Sequence, residues 1–203
     1  MSTNIIQQTK LQIALAYAKN GFAVFPLCQN SKSPLKNSRS FHEATTDDKI
    51  ITQWWEKNPN YNIGIATGEV SDIWVLDIDT NDGKKGDESL QMIEEENSPL
   101  PPTLMCKTAN GGKHLYFKNP GKKIKNSTSK IAPNIDVRGD GGYIVAPASN
   151  LYKKKYKWIN EGTDISEAPE WLITKLEDTK KKHPKKKAKN RQQKITLKQF
   201  KIF

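Results

Sequence analysis

Apolar residues at Ile5, Leu11, Leu15 and Ala18 recur near helical spacing, and Asn20-Gly21 supplies a stop, so residues 4–19 predict a helix. The run FAVFPL (residues 22–27) reads as a short buried strand ended by Pro26. Thr45, Thr46, Asp47 and Asp48 offer a cap and an acidic first turn. The helix they open carries Ile50, Ile51, Trp54 and Trp55 and stops before Pro59. NIGIAT (62–67) and IWVLDID (73–79) predict two strands, and residues 87–97 a helix with Leu90 and Ile93 inward. Further strands follow at TLMCKT and KHLYFK. NIDVRG and GYIVAP then form a pair around Gly139–Gly142. A strand at YKWI and a short helix near residues 169–176 close the pattern. Helices mixed with hairpin-like strand pairs define an α+β domain with a mostly antiparallel sheet.

Charge divides the chain in two. The formal net charge is +11 over 203 residues, which points toward a polyanionic partner. Residues 1–178, however, hold 22 acids and 22 bases, so residues 179–203 carry the entire excess. The run from Lys180 to Arg191 places eight cations in twelve residues without apolar periodicity, a composition that predicts disorder or structure only in complex. It reads as a nucleic-acid arm, a linker to a further domain or a solvated tail. KITLKQFKIF, at the end, regains apolar residues like the start of another element. The expected division is therefore a domain over residues 1–178 and a basic tail or linker over 179–203. No apolar run approaches the roughly 20 residues that span a bilayer. The first residues lack a secretion signal, so a cytoplasmic location is expected. Cys28 and Cys106 are too few and too far apart for a disulfide framework or a four-ligand zinc cluster.

The candidate chemistry is acidic. In VLDIDT (residues 75–80) strand alternation turns Asp77 and Asp79 to one face, about 6.5–7 Å apart at the backbone. Two like charges held that close are costly unless a cation joins them, and hard oxygen ligands suit Mg²⁺ or Mn²⁺. In NIDVRG, Asp136 and Arg138 share the side opposite Ile135 and Val137. A third carboxylate beside an arginine is what a two-metal phosphoryl-transfer site uses. Gly111-Gly112 lets a backbone amide approach a phosphate, Lys113 supplies a compact charge, and His114 shares a face with Tyr116.

Together these segments resemble the primase–polymerase (prim-pol) family of the archaeo-eukaryotic primase superfamily over residues 10–160. The resemblance runs through GFAVFPL, KSPL, ATTD, QWW, NIGIATG and VLDID, and on through TANGGKHLYF and IDVRGDGGYIVAPAS. It implies a template-directed nucleotidyltransferase, a DNA primase or DNA polymerase. Such a domain works on single-stranded DNA with NTPs or dNTPs and is often joined to a helicase in replication proteins. It implies the archaeo-eukaryotic primase fold, an N-terminal α/β part across a cleft from an RNA-recognition-motif-like sheet. Asp77, Asp79 and Asp136 match the family's metal ligands for two divalent ions, and His114 matches its nucleotide-contacting histidine. Lys113, Gly112 and Arg138 would support the triphosphate. Gly112 stands where relatives often carry Ser. No zinc-binding insertion is present. Lys32, Lys36 and Arg39 in the KSPLKNSR loop, and Lys122, Lys123 and Lys125 in an acid-free stretch, are candidate nucleic-acid contacts. A catalytically silent nucleic-acid-binding module and a metal-dependent nuclease are the alternatives.

Overall fold

A computed structural model describes residues 8–178. The predicted basic tail, and residues 4–7 of the predicted first helix, lie outside the described residues. In chain order come α1 (Lys10–Lys19), β1 (Val24–Leu27), α2 (Asp48–Lys57), β2 (Asn62–Ala66), β3 (Ile73–Ile78) and α3 (Gly86–Glu96). Then follow β4 (Met105–Lys107), β5 (Lys113–Lys118), β6 (Ser127–Ala132), β7 (Ile135–Arg138) and β8 (Tyr143–Val145). The short strands β9 (Asn150–Leu151), β10 (Lys154–Lys155) and β11 (Lys157–Trp158) lead to α4 (Glu170–Asp178).

Local chemistry explains the boundaries. Thr9 and Gln12 form a reciprocal capping box at the start of α1, and the Asp47 carboxylate accepts from the Lys49 and Ile50 amides to open α2. The inward face of α1 is Ala14, Tyr17 and Ala18; of the expected positions Ala18 is buried, whereas Leu11 and Leu15 pack only in part. Pro26 does not end β1. It lies inside the strand opposite Ile63, at the edge of its sheet, where a missing N–H costs little.

Two antiparallel sheets carry the fold, β1-β2-β8 and β11-β4-β5-β3-β7-β6. Alternation along β3 divides the core. Ile73 and Val75 join Phe25, Ile63 and Trp55 in one cluster. Trp74, Leu76 and Ile78 join Ile93 of α3 and Leu172 of α4 in the other. Each such side chain withdrawn from water contributes about 1.5–3 kcal/mol, so β3, covered on both faces, is firmly held.

The expected pairing of NIDVRG with GYIVAP does not occur. β7 lies between β3 and β6 in the large sheet, whereas β8 pairs with β2 in the small one. Residues 139–142 carry the chain from one sheet to the other. A Cβ on Gly139 would stand 2.2 Å from the Ile124 carbonyl oxygen, so only glycine allows this crossing. β6, which follows Lys122, Lys123 and Lys125 in sequence, is a strand that the sequence pattern does not predict.

Candidate active site

The register of β3 sets the site. Asp77 lies opposite His114 of β5 on one side and opposite Asp136 of β7 on the other. Residues opposite one another in antiparallel strands share a face, so the three form a row across the middle of the large sheet. Arg138, two residues beyond Asp136, rises on the same face. Its Nη2 donates to Asp77 Oδ2 at 3.1 Å and to Asp136 Oδ2 at 3.0 Å. His114 Nε2 stands 3.4 Å from Asp77 Oδ1, and the Ser129 amide donates to Asp136 Oδ1 at 3.1 Å. Asp79, just past the end of β3, is anchored by its amide to the Asn134 carbonyl, and its carboxylate meets Lys84 at 2.6 Å.

Electrostatics follows from this crowding. Burial alone would raise the Asp77 carboxyl, but hydrogen bonding and charge from His114, then Arg138, outweigh it and hold Asp77 well below the usual carboxylate range. Asp77 is thus ionised at every ordinary pH. Tyr156 packs its ring 6.1 Å from that of His114. Burial, then the charge on Asp77, pushes its phenol up, so it remains an O–H donor. The buried His114 Nδ1 has no hydrogen-bond partner among the described residues, a costly state for a polar atom.

A cleft of about 320 Å³ opens over the row, with Asp77, Asp79, His114 and Arg138 in its wall. Asp136 does not line it and reaches it through Arg138. Lys32 lines the cleft, whereas Lys36 and Arg39 are exposed on the loop beyond it. Lys113 is opposite Ile78, so its side chain leaves from the face away from His114 and pairs with Asp87 of α3 at 2.8 Å. It is therefore no part of the cleft. Packing alone requires a glycine at position 112, since a Cβ there would meet the Ile78 carbonyl oxygen at 2.3 Å. Lys122, Lys123 and Lys125 surround a second hollow of about 340 Å³, and Lys122 pairs with Glu177 at 2.8 Å. Asn126 lines both hollows, so the two adjoin.

Several cleft residues escaped the sequence reading. Thr108 and Asn110 lie in the loop before Gly111-Gly112, and TANGG marked only its glycines. Phe41, Tyr143 and Tyr156 come from three separate segments; GYIVAP and YKWI predict strands, but local alternation does not say which cleft their aromatics line.

Among the described residues no group of three or more His, Cys, Asp or Glu side chains is gathered as a metal-holding cluster. The donor chemistry nevertheless suits a hard divalent ion. One guanidinium nitrogen already stands within hydrogen-bond reach of an oxygen from both Asp77 and Asp136, which marks a point where positive charge binds both carboxylates. Asp79 likewise holds the Lys84 cation.

The family model described as Prim-Pol, bifunctional DNA primase/polymerase, N-terminal, matches residues 14–171. An antiparallel α+β domain with this row across its central strands therefore belongs to the bifunctional DNA primase/polymerase family. Among curated proteins none matches the chain. No helix among the described residues is long and apolar enough to cross a membrane.

Proposed function

We propose that the cleft catalyses template-directed nucleotidyl transfer, in which a 3′-hydroxyl attacks the α-phosphate of an NTP or dNTP and pyrophosphate leaves. The observation that carries this reading is the cross-strand row His114–Asp77–Asp136 bridged by Arg138 beside a cleft of nucleotide size. Rigid neighbouring strands hold these groups, which is the pre-organisation that positioning a triphosphate requires.

Asp77, Asp79 and Asp136 are the residues that would hold Mg²⁺ or Mn²⁺. When bound there, the ions supply activation of the 3′-hydroxyl and neutralisation of the developing pyrophosphate charge. The remaining work belongs to the chain. Arg138, the counter-ion of Asp77 and Asp136, lines the cleft, and its planar fork suits phosphate oxygens. Asp77 orients the His114 ring through Nε2, which leaves Nδ1, unpartnered among the described residues, as the nitrogen that would meet a phosphate oxygen. The partner is a single-stranded DNA template. Lys32 at the cleft and Lys122, Lys123 and Lys125 at the adjoining hollow are its phosphate contacts. A helicase, as a joined domain or a separate protein, is a further proposed partner.

The test is incubation with single-stranded template, labelled NTPs or dNTPs, and Mg²⁺ or Mn²⁺. Incorporation is expected from the wild type and a loss of about 100-fold or more from Asp77→Ala/Asp79→Ala. Undiminished incorporation by that double variant would sink the proposal. Metal-independent DNA binding without incorporation by the wild type would favour the silent binding module, and template degradation the nuclease.

A further inference from the structure

The proposed chemistry occupies the part of the cleft lining that the large sheet supplies, and other segments line it with groups of another kind. Phe41, in a one-turn helix over residues 40–43, and Tyr143 of β8 both line the cleft. Their rings lie nearly parallel, 25° apart, with centroids 6.3 Å from each other. The Tyr143 ring is held on two sides. Tyr143 donates its hydroxyl to the Lys32 carbonyl at 3.2 Å and packs edge-on against fully buried Phe25 at 5.3 Å. Phe41 lies against the ring of its neighbour His42, centroids 4.1 Å apart, and packs in part on the core cluster that holds Phe25. Both rings are only half-buried.

We propose that Phe41 and Tyr143 form a nucleobase-stacking platform, which seats the base of the nucleoside triphosphate whose phosphates meet Arg138 and His114. This deepens the proposed function and rests on it. A nucleotide has one aromatic part and one polyanionic part, and the cleft offers aromatic rings and, elsewhere in its lining, Arg138 and His114 within a single volume of about 320 Å³. A template-copying site must also accept all four bases. Stacking is indifferent to base identity because every base has a π-face. The one hydroxyl of the pair is already engaged with Lys32, so the platform holds a base without reading its edge.

The experiment measures equilibrium binding of the four dNTPs, and of inorganic tripolyphosphate, to the full chain in Mg²⁺. Phe41→Ala is expected to weaken each dNTP by about 5- to 150-fold, the range a stacked base contributes. Binding of tripolyphosphate should stay unchanged, which also shows the variant is folded. Phe41→Trp should bind dNTPs at least as tightly as the wild type, and Phe41→Leu, similar in apolar bulk but without a π-face, should resemble Phe41→Ala. The proposal is overturned if Phe41→Ala binds dNTPs like the wild type. It is overturned too if only one base is affected, or if Phe41→Leu matches Phe41→Trp. A wild type that binds neither dNTP nor tripolyphosphate would instead defeat the proposed function, and the platform with it.

Discussion

Asp77 keeps its charge in a setting that would otherwise neutralise it, because His114 and Arg138 stand against it on the two flanking strands. Its carboxyl is lowered relative to an unfolded chain, where it would titrate near 4. The stability it contributes is therefore fully present above that pH and is lost as pH falls toward the lower native value. Urea unfolding of the wild type and Asp77→Asn should differ by on the order of 2 kcal/mol at pH 7, and the gap should narrow progressively below about pH 4. A gap independent of pH would contradict the charge balance described. Cys106 provides a second residue-scale check. Burial pushes its thiol up to about 12, and it has no exposed surface, whereas Cys28 is half-buried. Thiol alkylation of the native protein at pH 8 should modify Cys28 alone, with Cys106 reacting only on denaturation. At this scale the carboxylates and His114 were legible because period-two alternation assigns faces without tertiary knowledge. Lys113 was assigned to the site for its chemistry and proximity in sequence, and the same alternation sends it to the opposite face.

Strand pairing decides what the cleft contains. A Gly-rich segment between two alternating apolar runs reads locally as a hairpin, and nothing in residues 134–147 announces that the two runs belong to different sheets. The structure splits them, and the consequence is functional. β7 brings Asp136 and Arg138 to the large sheet, while β8 carries Tyr143 to the small one, and Arg138 and Tyr143 both line the cleft. Side-chain hydrogen bonds secure the crossing. Thr67 donates to the Gly139 carbonyl, the Gly139 amide to Asn126, and the Ile124 and Glu69 amides to Asp140. Gly139→Ala would press a methyl into the Ile124 carbonyl. It should cost about 1–3 kcal/mol in chemical denaturation and reduce nucleotide incorporation by misplacing the two sheets. Wild-type stability in that variant would show that the crossing is looser than its contacts indicate.

Over the whole molecule, charge and chemistry are separated. Residues 1–178 are formally neutral and the cleft wall carries Asp77 and Asp79, while residues 179–203 hold the full +11. The fold class was readable because alternation and caps are local signals. The contents of the cleft were readable only in part, because Phe41, Tyr143 and Tyr156 converge through pairings between residues far apart in sequence. Deleting residues 179–203 should weaken DNA affinity and flatten its salt dependence, by about one unit of slope per lost phosphate contact, with smaller effect on nucleotide binding. Equal loss of both would contradict that division of labour. The central claim, that one face of the large sheet carries out nucleotidyl transfer, is tested most directly by neighbouring residues that point opposite ways. Template-directed incorporation should fall about 100-fold or more in His114→Ala and stay within about threefold of wild type in Lys113→Ala. Equal losses in the two variants, or full activity in His114→Ala, would contradict it.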